Sequence, residues 1–378
     1  MAEPVALRGM TWNHSRGYDP MVATSAAYAA AHPGVTISWE KRSLQAFADQ
    51  PIETLADGYD LLVIDHPHVG EVARNHLLLP LDGIGRDDEL ALLARQSVGL
   101  SHVSYAFEGR QWALAIDAAT PVAAFRPDRI AAAPKRWDEV LALARSGRVC
   151  CALVPINALM TVFGLARNKG YTVAEGERFM RADEATEILE HLRELTALVD
   201  PRCLGLDPIG IYEWMGRSAE APAYSPFGYG YTNYIRPGYC AHPLVFADAP
   251  GFGDNGPRGT VLGGTGIAVS ARTRHPDIAL DYAFWIAGAD CQKGLFFTSG
   301  GQPGNAVAWE DAACNAACRD FLANTRATLE SAWLRPRDDG YMGLQDRAGD
   351  IVHACLRGEA SVGATVAALQ HAYEESRS

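Results

Sequence analysis

The sequence predicts an α/β protein of two lobes, and three observations carry the prediction. The chain has 378 residues, 48% of them hydrophobic, enough for two lobes of roughly 190 residues, each with its own core. Segments of strand period and helix period alternate from the N-terminus. The apolar run at 61–64 stops abruptly in Asp65, His66, Pro67 and His68, as a buried strand does when its end faces a cleft.

The elements follow in order. Residues 5–11 read as a strand, and Asp19 before Pro20 reads as an N-cap and first helical position for a helix over 21–31. That helix stops at His32-Pro33-Gly34. Val35, Ile37 and Trp39 then alternate on one face of a second strand. With the strand at 61–64 and a helical stretch after it, the order predicts a mainly parallel sheet with helices on both faces. In such sheets ligands bind beyond the carboxyl ends of the strands. Residues 11–14 and 65–68 would therefore face one crevice if the first and third strands are neighbours.

Further along, residues 111–115 are short and apolar and run into Asp117. A helix is marked by Trp137, Val140, Leu141 and Ala144, with Asp138 and Glu139 in its first turn and Gly147 just past its end. Another is marked by Ile188, Leu189, Leu192, Leu195 and Leu198. Residues 203–260 differ, being rich in Gly, Pro and aromatics, among them Tyr224, Phe227, Tyr229, Tyr231, Tyr234 and Tyr239.

Composition narrows the partners. A net charge of −12 disfavours nucleic acid and anionic lipid, which need clustered Lys and Arg. No apolar stretch approaches the roughly 18 residues of a spanning helix, so no membrane insertion is expected. The first residues lack the basic start and apolar run of a secretory signal. Taken as complete the chain would stay in the cytoplasm; with a leader already removed it would belong to the periplasm or the exterior. Eight cysteines suit a reducing compartment and read as buried thiols. No matched CxxC pairs occur, so no structural zinc is expected.

The order of segments resembles the family 1 extracellular solute-binding proteins of ABC importers, the group that includes maltose-binding protein. The resemblance lies in QWALAIDAATPVAAFRPD, APKRWDEVLALAR, GGTGIAVSARTRHPDIALDYAFWIAG, GGQPGNAVAW and the C-terminal stretch from RPRDDGYMGLQDR. It spans about residues 5–375, and it is the order of the pieces that is specific. It implies a type II periplasmic-binding-protein fold, two α/β lobes joined by crossing strands with a ligand held between them. The matching segments put lobe one at 1–117 plus 262–310 and lobe two at 118–261 plus 311–378, with crossings near Asp117, Val261 and Asp311. The His-rich tips at 14, 66 and 68 are not something the family requires.

Candidate residues can be weighed by chemistry. Trp12 and the tyrosines Tyr224, Tyr229 and Tyr231 suit a ligand with an apolar face and polar edges, such as a sugar ring; core packing is the competing explanation. Asn13, His14, Asp65, His66, His68, Asp117 and Gln302 would supply hydrogen bonds. Asp65, His66 and His68 admit a metal, but no HxxE or HxxxH partner supports one. His14 or His66 with Asp117 or Asp65 could act as base and orienting acid, yet no nucleophile motif accompanies them. GFGDNG at 251–256 matches GxGxxG, but Pro257 stands where the helix should open, so it reads as a turn-rich loop. Gly264, leading into a strand, reads as close backbone approach to a ligand. Glu213, Asp248 and Arg258 read as solvated loop residues.

The reading that follows is reversible capture of a small polar ligand, best a carbohydrate or polyol, by a monomer needing no cofactor or metal. Its partner would be an ABC permease if the protein is exported. An enzyme on the same fold using His14, His66 and His68, and a cytosolic ligand sensor, are the alternatives.

Overall fold

A computed structural model describes residues 4–42 and 52–377. The strands along the chain are β1 (Val5–Trp12), β2 (Val35–Arg42), β3 (Leu61–Ile64), β4 (Ala106–Phe107), β5 (Arg110–Gln111), β6 (Leu114–Ala115), β7 (Pro121–Phe125), β8 (Tyr224–Tyr229), β9 (Val245–Ala247) and β10 (Gly266–Val269). The chain divides into two units. The first is Met1–Ala119 with Gly263–Ala316 and Arg337–Asp339; the second is Thr120–Leu262 with Ala317–Pro336 and Gly340–Ser378. The short return at Arg337–Asp339 has no counterpart among the crossings read from sequence.

The first unit is built on a five-stranded sheet in the order β2-β1-β3-β10-β6. β1 runs parallel to β2 and to β3, whereas β10 runs antiparallel to β3 and β6. The sheet is thus mixed rather than mainly parallel. The reason is where the chain re-enters: it returns at Gly263, and Gly266 pairs with Ile64, the last residue of β3. A strand entering at the carboxyl edge of its neighbour must run backwards along it. β3 is flanked on both sides and all four of its residues are buried, which explains its unbroken apolar run.

The first helix, Ser15–Ala31, begins earlier than Asp19-Pro20 suggests. His14 is extended, with φ −147° and ψ 150°, and its Nδ1 accepts the Arg16 backbone N–H at 3.0 Å, so the imidazole is the N-cap. Pro20 lies inside the helix. An imidazole is not among the usual capping side chains, so the Asp-Pro pair one turn on is the stronger sequence signal and the wrong one. After β3, Asp65 caps a short 3-10 turn at His66–His68, which continues as the helix Val69–Asn75.

The second unit holds the antiparallel sheet β8-β7-β9 and the helices Trp137–Ala144, Pro155–Asn168, Ala182–Leu198, Tyr341–Leu356 and Val362–Glu375. The helices at 137 and 188–198 therefore stand where their periodicity puts them. Much of the aromatic segment is core: Tyr212 meets Tyr234 at 5.4 Å and Phe246 at 5.2 Å between ring centroids. GFGDNG is a loop. Asn168, ending its helix, accepts the Phe252 N–H at 2.8 Å and donates to the carbonyls of Gly256 and Arg258. Glu213 and Asp248 are not solvated loop residues. Glu213 sits in the helix Pro208–Arg217 and accepts the Tyr234 hydroxyl at 3.0 Å; Asp248 accepts the Thr328 N–H and hydroxyl at 2.9 and 2.6 Å. Arg258 donates to the Asn168 carbonyl at 3.3 Å.

None of the eight cysteines is in a disulfide, and all but Cys240 are buried. Burial raises the thiols of Cys150, Cys151 and Cys203, which makes them packing residues rather than nucleophiles. No helix among the described residues is long and apolar enough to cross a membrane.

Two outcomes follow. Gly264 has φ +102°, and a Cβ there would overlap the Asp117 carbonyl. Gly264→Ala should lower the unfolding free energy in urea by about 2–4 kcal/mol, strain and overpacking adding. In the first unit, His102 lines a cavity of about 10 Å³ with Gln96, Ser97 and Asn305, and burial holds its imidazole below the ordinary 6.5. The unfolded chain then takes up a proton near pH 6.5 that the folded chain accepts only at lower pH. The folded state must lose stability as pH falls below 6.5, and a His102→Asn melting curve should lack that part of the loss.

Candidate functional site

The register of the first sheet brings the strand tips together. β1 pairs with β3 in parallel, Gly9 opposite Leu61 and Met10 opposite Leu62. Trp12, Asn13 and His14 therefore leave the sheet at the same edge as Asp65, His66 and His68. β10 starts at this edge, with Gly266 opposite both Ile64 and Ala115, so Gly264 and Asp117 arrive there too.

Asp117 is the point where these segments are tied. Its backbone exchanges two hydrogen bonds of 3.0 Å with Thr265. Next to it the Ala118 N–H donates to the Gln302 carbonyl at 3.1 Å, and the Gln302 side-chain amide donates to the Ala118 carbonyl at 2.8 Å. Gln302, almost fully buried, spends that amide on the backbone. The Asp117 carboxylate accepts both edges of the Arg16 guanidinium, Nε to Oδ2 at 2.8 Å and Nη2 to Oδ1. The two side chains are 3% and 4% exposed. Burial pushes the Asp117 carboxyl up, and Arg16 with the Gln302 backbone N–H pulls it back.

Arg16 also organises the first tip. Its guanidinium carbon lies 5.8 Å from the Trp12 ring centroid, and the Trp12 and His14 rings stack at 5.4 Å with an interplanar angle of 12°. Gly17 leaves room for the indole, since a Cβ there would overlap it. Because the His14 Nδ1 accepts the Arg16 N–H, the neutral ring carries its proton on Nε2. The Asp117 carboxylate is held by Arg16, and the His14 Nδ1 is engaged by the Arg16 N–H.

At the second tip the buried His66 has its Nδ1 3.2 Å from Asp65 Oδ1, and Asp65 also accepts the His66 backbone N–H at 2.9 Å. Tyr105 packs edge-on to the His66 ring at 6.2 Å, and its hydroxyl lies 3.3 Å from the Ile64 carbonyl and 3.4 Å from that of Gly264. His68 Nδ1 stands 3.8 Å from Glu71 Oε2. Among the described residues no group of three or more His, Cys, Asp or Glu side chains could hold a metal ion. Asn13 is exposed.

The three tyrosines belong to the second unit. Tyr224 is fully buried and its hydroxyl is 3.4 Å from the Pro134 carbonyl. Tyr231 is buried, edge-on to Tyr212 at 6.3 Å. Tyr229, half-buried, ends β8 opposite Pro121. Sequence reasoning missed Arg16 and Tyr105. Nothing in the local pattern marks either, because the partners of Arg16 and Tyr105 are remote in sequence.

No family model matches the chain, and no curated protein does. Solved structures do, over nearly the full length. The chain is similar to the maltose-bound MalE3 of T. maritima (15% identity, TM-score 0.85, 98% of this chain and 99% of that one). It is similar to an ABC transporter solute-binding protein from Agrobacterium radiobacter in complex with ribitol (20% identity, TM-score 0.82, 99% of each chain). A solute-binding protein from Thermotoga lettingae bound with α-D-tagatose matches at 14% identity and TM-score 0.81 over all of both chains. The fold is thus the two-lobed α/β fold of these binding proteins, the type II periplasmic-binding-protein fold.

The Arg16–Asp117 pair gives a direct test. Arg16→Ala leaves a buried carboxylate without its counter-ion and should cost about 3–5 kcal/mol of unfolding free energy. Arg16→Lys keeps charge but loses the fork, so in the same urea titration it should fall between the two.

Proposed function

We propose that the chain is a solute-binding protein that captures a small polar ligand, a carbohydrate or polyol, reversibly and without a covalent step. One observation carries the reading: the aromatic Trp12–His14 tip and the polar Asp65–His68 tip leave neighbouring parallel strands at one sheet edge. An indole stacks on the C–H face of a sugar while imidazole, carboxylate and amide groups take its hydroxyls. The solved structures of this fold named above, with maltose, ribitol and tagatose bound, support that ligand class.

Asn13, His14 and Asp65 are assigned to direct contact with the ligand; Trp12, His66 and His68 are assigned to it as well, but they are buried in this structure, so the ligand reaches them only when the tips part. Asp117, Gly264 and Gln302 hold the edge on which they stand. Of the three tyrosines of the second unit, Tyr224 and Tyr231 serve its core, and Tyr229, half-buried at the end of β8, is the one assigned to the ligand. The protein works as a monomer whose units close on the ligand, and in an exported form it delivers the ligand to an ABC permease.

Calorimetry against maltose, ribitol, tagatose and related solutes tests this. At least one should bind and be recovered unchanged, and small-angle scattering should show a smaller radius of gyration with it. Trp12→Ala should weaken that affinity tenfold or more, about 1.4 kcal/mol, and Trp12→Phe should restore most of it. Failure of every carbohydrate and polyol to bind would refute the proposal, and turnover abolished by His66→Ala would replace it with the enzyme.

A further inference from the structure

The Arg16–Asp117 pair has a consequence for which solutes the site accepts, and it rests on the binding function proposed above. An Arg fork is the side chain best matched to a carboxylate or phosphate. Here the fork of Arg16, beside the Trp12 tip, already grips a carboxylate of the protein, with two parallel contacts and both side chains almost wholly buried.

The other charges at this edge point the same way. Asp65 stands beside His66 and Glu71 beside His68, with side-chain exposures of 35% and 32%. Lys41 and Arg42 end β2, next to Trp12 in register. Lys41 turns to the Tyr18 ring at 4.5 Å, and Arg42 to the Tyr59 ring at 5.9 Å, where Glu40 feels its charge. An anionic solute entering this edge would lose its hydration and meet carboxylates, with the Arg16 charge already compensated. A hydroxyl carries no such penalty, because it donates to carboxylates and accepts from N–H groups alike.

We propose that Asp117 is a specificity determinant: by occupying Arg16 it restricts the site to uncharged polyhydroxy ligands and excludes sugar acids and sugar phosphates. Asp117→Asn keeps the shape of the side chain and removes its charge. Arg16 is then a buried cation in need of an anion, and a ligand carboxylate can supply it.

The experiment uses the full chain and matched pairs of probes, ribitol with ribonate and maltose with maltobionate, at constant ionic strength. The wild-type protein should bind the neutral member of a pair at least tenfold more tightly than the acid. Asp117→Asn should bind the acid at least tenfold more tightly than the wild type does, and the charge-free Arg16→Gln/Asp117→Asn double variant should lose that gain. A readout independent of the ligand accompanies it: sodium formate, balanced against sodium chloride, should raise the melting temperature of Asp117→Asn but not of the wild type or the double variant. Equal wild-type affinity for acid and neutral probe, or formate stabilising all three proteins alike, would overturn the inference. Wild type binding neither member while formate still rescues Asp117→Asn would remove the carbohydrate reading and retain Arg16 as the charge-sensing group. If Asp117→Asn does not fold, the wild-type ratio decides alone.

Discussion

The first unit depends on one buried ion pair. Arg16 and Asp117 are 101 residues apart in sequence, and each would be costly alone in a site that excludes water. Together they hold the start of the first helix to the segment where the chain leaves the unit. The backbone of Asp117 is bonded to Thr265, and its neighbour Ala118 to Gln302. Four stretches of chain are thus fixed at one point, at the sheet edge where the Trp12 and His66 tips also leave. A hydrophobic pair of equal volume could hold the same point with no desolvation cost. What the ion pair adds is directionality, since a bidentate fork admits one orientation of the helix N-terminus.

The close approach of backbone segments follows from the same constraint. Gly264 passes against the Asp117 carbonyl, and Gly266 against the Tyr105 ring. Neither position tolerates a Cβ. The glycines that look in sequence like a ligand-facing loop therefore serve first to let β10 enter the sheet.

Much of this was legible in the sequence because it is local. Alternating Val35, Ile37 and Trp39 marked β2, an unbroken apolar run marked β3, and the polar stop after Ile64 marked a strand end. The helices at 137 and 182–198 showed their heptad-like faces. What was not legible depends on partners distant in sequence. The Asp19-Pro20 pair advertises a helix start that the His14 imidazole pre-empts, and only the tertiary position of Arg16 makes that early start worthwhile. Asp117 reads as a ligand contact until Arg16 is seen beside it. Tyr224 and Tyr231 read as stacking surfaces because aromatic composition does not say which ring faces are already covered; in the structure other side chains and backbone cover them.

The His66 tip is positioned from both ends. On one side it continues β3. On the other, the helix Val69–Asn75 is braced by the segment Arg337–Asp339: a Cβ on Gly70 would overlap the Arg337 carbonyl, and Arg74 meets Asp339 at 2.5 Å. Arg337 itself is anchored by donating to the carbonyls of Val103, Ser104 and Ala106 at 3.1, 2.9 and 2.5 Å. These carbonyls end the turn that carries Tyr105, whose ring packs on His66. One guanidinium thus fixes both the helix behind the tip and the aromatic wall beside it. Three carbonyls and the nearby charge of Asp338 suffice for Arg337 because it is only half buried, so water can share its charge, whereas Arg16 is almost fully buried and is gripped by the full charge of Asp117. The difference in burial decides which arginine can serve as a brace and which must be neutralised, and so which one can bear on the charge of a ligand.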